Sequence, residues 1–560
     1  MAVALASADT YVVVVALPDM MAGVGLGIDA LQRATPIVSG FLLGYIAVLP
    51  LIGRISDLVP RQRILFFCVS LFVLGSAITA VSVELPVLVF GRVLQGIGGG
   101  GLVPATLALV ADLWPAARRG PPLGVVGAVQ ELGSVLGPLL GAAVLAVADW
   151  RAIFWLNVVL GTVIGAVLLL TADREARPHL RPLPTVLGLL TLGAGLLTLI
   201  APTALASDVT LGIPFVPFAG TGRLATPMGV LTLLLLLATL AVSGAMPVDS
   251  GSRVALLRRV DLLGALCIAV ALGSLVLTFA SANPGSEVVG PWGWALVPLG
   301  LVAVAAYFWR HQTARDPLVS RGLMATGGGS RIVPALLVST LVGVALVAIV
   351  VDIPVLARLT VTASQSVAAL VLVRFMVAVP VGAFLGGWLL RRLGPAVVAA
   401  TGLALAGTGL VLMSGWGYGS LQSWSATPVL ALAGLGLGLA LAPVNAAALA
   451  GAPGDAHGVV SSLVVLARMV GMVVGLALLT AVGLHRYYTA VTALPDQSNM
   501  SALSAAGVVQ VQTVFLGGAI AAFSAAVIAL ALSGPRSHES GGRVHGRGRS
   551  RDRPPRPALQ

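Results

Sequence analysis

The sequence predicts an all-α polytopic membrane protein, two six-helix bundles with extra transmembrane helices inserted between them, about 16 spans with 14 as the alternative. Three observations predict it: scarce charge, a succession of apolar runs of spanning length, and an echo between the two ends of the chain. Of 560 residues, 58% are hydrophobic and only 9% charged, where a soluble domain carries about a quarter charged residues. Mean hydropathy is +1.03. Bilayer hydrocarbon is ~30 Å thick and takes ~20 mostly apolar residues to cross as a helix.

Charge punctuates the apolar runs in order. The first block has runs at 1–21, 34–53, 64–83, 86–112, 122–147 and 152–172. Arg54, Arg61 and Arg63 follow the second, Arg118 and Arg119 the fourth, and Arg174, Arg177 and Arg181 the sixth, whereas the alternate loops hold only Arg33 and Arg151. The positive-inside rule therefore puts both ends of this block in the cytoplasm. No cleavable signal peptide is evident, since the first apolar run starts at residue 1 and reads as a span. Four further runs lie at 184–205, 226–247, 261–281 and 292–310. The last block has runs at 331–357, 363–390, 395–414, 427–450, 456–485 and 507–533. The predicted organisation is a bundle at 1–173, two further helix pairs at 184–247 and 261–310, a second bundle at 331–533 and a tail at 534–560. An even span count keeps both termini cytoplasmic in an inner (cell) membrane. The 456–485 run would extend ~45 Å as a helix, so it either projects with 501–533 as a hairpin or tilts strongly.

The echo lies at the end of the second run of each block. Gly53 precedes Asp57 by four residues, and Gly387 precedes Arg391 by the same offset. Duplicated halves are how many secondary transporters are built, with the binding site between them.

Other function classes lack their residues. The net charge of +12 comes from arginine, and seven arginines lie in the Gly/Ser/Pro-rich tail; this reads as a disordered cytoplasmic segment and not as a nucleic-acid site. Cys68 and Cys267 fall inside apolar runs and suggest neither a disulfide nor a redox pair. The six histidines lack ligand spacing, so no metal and no cofactor are expected. There is no phosphate-binding loop of the ATPase kind and no nucleophile constellation, so the chain is not expected to be an enzyme. Gly96–Gly101 formally satisfies a dinucleotide fingerprint, but no strand precedes it, and close helix packing explains it better.

Several motifs carry a family resemblance. Gly53-Arg54-Ile55-Ser56-Asp57 with Pro60, Arg61 and Arg63 resembles the loop signature of the major facilitator superfamily, though Pro60 stands where that family usually has glycine. Arg92-Val93-Leu94-Gln95-Gly96 matches its fourth-span signature, and Gly133, Gly137, Pro138 and Gly141 match its antiporter signature. Asp9-Thr10-Tyr11 in the first span is similar to the drug:proton antiporter branch with inserted linker helices. With Gln130-Glu131 and Ala467-Arg468-Met469, it resembles a mycobacterial-type lipid (triacylglyceride) and multidrug exporter group. The resemblance implies a major facilitator fold and a switching loop at Gly53, Asp57, Arg61 and Arg63. It further implies an ion lock of Asp9, Glu131 and Arg468, and a periplasmic lipoprotein as partner. It makes 261–310 the linker pair and 184–247 an additional inserted pair, and that insertion departs from the pattern.

Asp9 and Glu131 are the carboxylates plainly near mid-span, and Asp352 lies towards the outer end of its run. Ionised groups in a bilayer core are costly unless paired or wet, and so mark function. Arginine stays protonated and is the natural counter-charge. Asp9 or Glu131 is therefore expected to pair with Arg468, to lose that pair on protonation, and so to couple protons to alternation between the bundles. A static ion pair is the alternative. Arg92, Gln95, Arg374 and Asn445 complete the intramembrane polar set; whether Asp352 reaches Arg374 is open in the sequence. The expected function is proton-coupled export of lipids or other hydrophobic compounds across the inner membrane. A multidrug:proton antiporter for amphipathic drugs is the alternative, and a non-transporting scaffold or receptor the remote one. Protons, membrane lipids and the hydrophobic substrate are the expected partners.

Overall fold

In a computed structural model the described residues are 1–26, 31–115, 118–171, short pieces between 190 and 235, 261–280, 292–314, 316–319, 321, 329–361, 365–453, 456–495 and 499–533. Among them the regular structure is entirely helical. Helices α1 (Ala2–Gly23), α2 (Leu31–Leu58), α3 (Arg61–Val81), α4 (Leu85–Leu113), α5 (Gly120–Leu145) and α6 (Trp150–Thr171) form the first bundle. Helices α7 (Leu262–Ala280) and α8 (Gly293–Thr313) form the linker pair. The second bundle comprises α9 (Gly329–Thr360), α10 (Gln365–Met376), α11 (Ala378–Ser414), α12 (Ala426–Ala450), α13 (His457–Thr492) and α14 (Met500–Ala529). Eleven described segments are long and apolar enough to cross a membrane, one of them being the 371–414 stretch that holds two spans. The predicted pair at 184–247 falls almost wholly outside the described residues, and the 534–560 tail lies entirely outside them.

Local chemistry sets the breaks. Pro60 caps α3 at φ −50°, a value its ring imposes, so α2 turns into α3 within three residues. The predicted 363–390 run is broken at Val377, where the Pro380 ring would clash with the carbonyl of residue 376 in a continuous helix. Gly394 takes φ 78° and turns the chain between the eighth and ninth spans inside α11. Asn499 caps α14, its Oδ1 accepting from the Ser501 and Ala502 amides at 3.0 and 3.3 Å.

The long hairpin is present. Helix α13 has 36 residues, or ~54 Å, and would need a tilt of about 56° to hide in a ~30 Å core, beyond the usual 0–40° range. It therefore outruns the hydrocarbon core. Gly483 of α13 packs against Val514 and Gln510 of α14, and Gly507 of α14 against Leu359 of α9, so α9 and α14 rise with it.

Each bundle has its own core, around Phe41, Phe72 and Leu102 in the first and Ile349, Leu403 and Phe515 in the second. Two related seams join them, α2 against α13 and α5 against the first part of α11. The echoed glycines mark both: Gly53 meets Gly458 and Ser462, and Gly387 meets Gly120 and Gly124. A methyl group at Gly53 would lie 2.7 Å from the Gly458 carbonyl oxygen, so only glycine permits that approach. The linker hairpin, pinned by Arg310 Nε donating to Asp261 Oδ1 at 3.0 Å, rests beside α2, with Gly273 against Leu43.

Candidate functional site

A fully buried charge pair sits inside the first bundle. Asp9 of α1 and Arg92 of α4 pair at 2.6 Å, with side chains 0% and 1% exposed. The other Asp9 oxygen accepts from Asn157 Nδ2 of α6 at 2.6 Å. Arg92 also donates to Gln95 Oε1 at 2.6 Å and to the Ile37 carbonyl at 3.3 Å, while Gln95 Nε2 donates to Ser76 Oγ at 2.9 Å. The guanidinium carbon lies 4.4 Å from the Phe41 ring centroid, a cation–π contact. Four helices thus satisfy one buried pair.

A looser pair bridges the bundles. Arg468 Nη1 of α13 lies 3.5 Å from Glu131 Oε1 of α5, with side chains 10% and 13% exposed. Both line a cavity of about 210 Å³, together with Ser7, Thr10, Phe41, Tyr45, Met469 and Met472. Its walls are apolar save for this pair and a few hydroxyl and amide groups, which suits a hydrophobic ligand held by few polar contacts. Gly133 and Gly137 pack on the backbone of Ala4 and Ala8, so α1 and α5 run parallel in fixed register. Glu131 is level with Ala2 in that register, and Asp9 lies seven residues, ~10 Å, further along. The two carboxylates expected to share Arg468 are therefore divided: Glu131 faces it, and Asp9 faces Arg92.

The bundles are latched at the end carrying the 53–63 connection. Asp57 accepts from the Gly458 and Val459 amides at 2.7 and 2.9 Å, placing its carboxylate on the positive end of α13. Arg61 pairs with Asp57 at 2.7 Å and with Asp112 at 2.9 Å, and also bonds the Ser56 carbonyl. Ser461 of α13 donates to the Pro104 carbonyl of α4 at 3.0 Å. Arg63 lies in the first turn of α3. Tyr45 at the cavity is eight residues, ~12 Å along α2, from Gly53, so the cavity lies beyond a closed end.

The remaining predicted residues are spread out. Gly141 packs against Val12, continuing the contact of Gly133 and Gly137, and Pro138 lies in the same helix. Asn445 donates to the Leu441 carbonyl at 2.9 Å and lines a small pocket beside Arg468. Arg374 is exposed, donates to the Leu421 carbonyl at 3.3 Å and does not line the cavity. Asp352 is buried in α9 and forms no ion pair with Arg374 or with any other described residue. Sequence reasoning missed Asn157, whose signal was a lone amide in an apolar run. It also missed Asp112, which at a span end looks like ordinary loop charge. No group of described residues could hold a metal.

Two helical bundles joined along paired seams, with an ion pair across a central cavity, define a membrane transporter of the alternating-bundle class. Residues 1–295 match the family described as Major Facilitator Superfamily. The chain is 34% identical over 589 residues to a triacylglyceride transporter of Mycolicibacterium hassiacum, covering 99% of this chain and 95% of that one. It is 33% identical over 566 residues to a triacylglyceride transporter of Mycobacterium tuberculosis, covering 96% and 94%. Among solved structures it is similar to the human organic anion transporter MFSD10, at a TM-score of 0.52 and 15% identity, covering 93% and 97%. The chain belongs to the Major Facilitator Superfamily. It is a transporter and not an enzyme.

Proposed function

We propose that this transporter exports a neutral lipid or similarly hydrophobic compound across the inner membrane, driven by inward proton flow. The observation that carries the reading is the Glu131–Arg468 pair, which joins the two bundles at the wall of an apolar cavity. Deprotonated Glu131 attracts Arg468 and favours the observed closure. A proton on Glu131 removes that attraction and frees the bundles to rock. The arginine distribution sets both termini, and hence the latched end, in the cytoplasm, which makes the observed state outward-facing. Asp9 is the second proton site of the cycle, held with Arg92. The projecting α13–α14 hairpin would then stand on the periplasmic side, where a lipoprotein acceptor can receive lipid.

The relatives named as triacylglyceride transporters support acylglycerols as the substrate class. The test is purified protein in liposomes under an imposed proton gradient, following labelled triacylglycerol and a cationic dye. Lipid movement that collapses in Glu131→Gln is the expected outcome. Gradient-driven dye movement without lipid movement would replace this reading with a drug:proton antiporter.

A further inference from the structure

We propose that Asp9 exchanges its proton through a crevice between α1, α5 and α6 that is separate from the central cavity. The proposal rests on the proton-coupling reading and adds a route to it. The crevice holds about 30 Å³ and is lined by Asp9, Asn157, Gly137, Leu140, Val144 and Ile153, among others. A buried water needs roughly 10–15 Å³ and two or more polar partners; Asp9 and Asn157 stand at the inner end, with the carboxylate itself closed off while Asn157 and Arg92 hold it. Val144 is one residue from the end of α5 and Ile153 lies in the first turn of α6. The crevice therefore runs from the carboxylate towards the α5–α6 connection, ~10 Å along α5 from Gly137 to Val144.

Helix α1 is the wall between the two spaces. Leu5, Ala8, Asp9 and Val12 line the crevice, a stripe at helical spacing, whereas Ser7 and Thr10 on another face line the central cavity. An apolar substrate filling the cavity would expel water from Glu131 and Arg468. Release of the Asn157 hydrogen bond at the inner end opens Asp9 to the crevice without passing through the cavity. Phe41 carries the result across, because its ring lies against Arg92 and also lines the cavity. A proton on Asp9 loosens Arg92, and the shift in Arg92 is felt at the substrate wall.

The experiment uses the full chain in liposomes with Cys267→Ser, leaving the buried Cys68 in place. Leu140→Cys tests the crevice and Met472→Cys the cavity, each before and after a small water-soluble thiol reagent. Gradient-driven lipid transport and gradient-free lipid exchange are both measured, with modification read by mass spectrometry. The unmodified variants serve as their own folding controls. Modification of Leu140→Cys should cut driven transport about tenfold or more, the scale of losing a proton-transfer path, and spare exchange. Modification of Met472→Cys should stop both. No modification of Leu140→Cys would mean a dry crevice and overturn the route, as would modification that leaves driven transport intact or halts both processes. Asp9→Asn separates the two readings: driven transport surviving that change removes Asp9 from the coupling itself.

Discussion

The two intramembrane ion pairs differ in how completely the fold satisfies them. The Asp9–Arg92 pair is 2.6 Å long, buried in one bundle and bonded by groups on four helices. The Glu131–Arg468 pair spans 3.5 Å between bundles and sits partly exposed in a cavity. A buried, fully bonded pair resists separation, because either partner left alone is an uncompensated buried charge. A stretched, wetter pair across a moving seam is worth little to stability and can be broken cheaply. The difference makes the first pair the costlier to break and the second the easier one to open.

The comparison is broken most directly at Arg92. Arg92→Met should destabilise the protein by about 3–5 kcal/mol, because Asp9 is left buried and unpaired, read as a large drop in thermal unfolding temperature in detergent. Adding Asp9→Asn should recover much of that loss; no recovery would show that Arg92 acts through packing on Phe41 alone. The next effect is at the latch. Asp57→Asn weakens two hydrogen bonds to the α13 amides, each worth about 1.5–3 kcal/mol when charged. It should shift the population towards opening at that end, seen as faster thiol labelling of Gly127→Cys. A smaller change is expected for Asn157→Leu, about 1–3 kcal/mol from the unmet Asp9 oxygen, in the same unfolding assay.

Much of the architecture was legible because lipid imposes strict demands on composition. The fourth run, read as 86–112, is helix Leu85–Leu113, since every residue between the charged loops had to be apolar or paired. Asp9, Glu131, Arg92 and Arg468 stood out for the same reason. The pairing of Glu131 with Arg468 was among those expected, but the partner of Asp9 was not legible. Arg92 and Arg468 are both mid-span arginines, and only the placement of α4 beside α1 selects Arg92 as the partner of Asp9. Asn157 was hidden because a neutral amide breaks an apolar run without drawing notice. Arg374 was placed in the intramembrane polar set, but its contact could not be read from the run that continued to residue 390. The break at Val377 and the contact with the loop carbonyl of Leu421 are products of tertiary structure.

The smallest expected stability effect sharpens the contrast most. Arg468→Met should change stability by about 1 kcal/mol or less, since an extended, partly wet pair contributes little. It should nevertheless uncouple transport from the proton gradient, because no cation then distinguishes charged Glu131 from protonated Glu131 across the seam. Pairing it with Glu131→Gln in a double-mutant cycle tests whether the two act as one unit. Uncoupling in the double variant equal to that in either single variant is expected. Additive losses would mean that Glu131 and Arg468 serve separate steps, and the inter-bundle pair would then be a bystander to coupling.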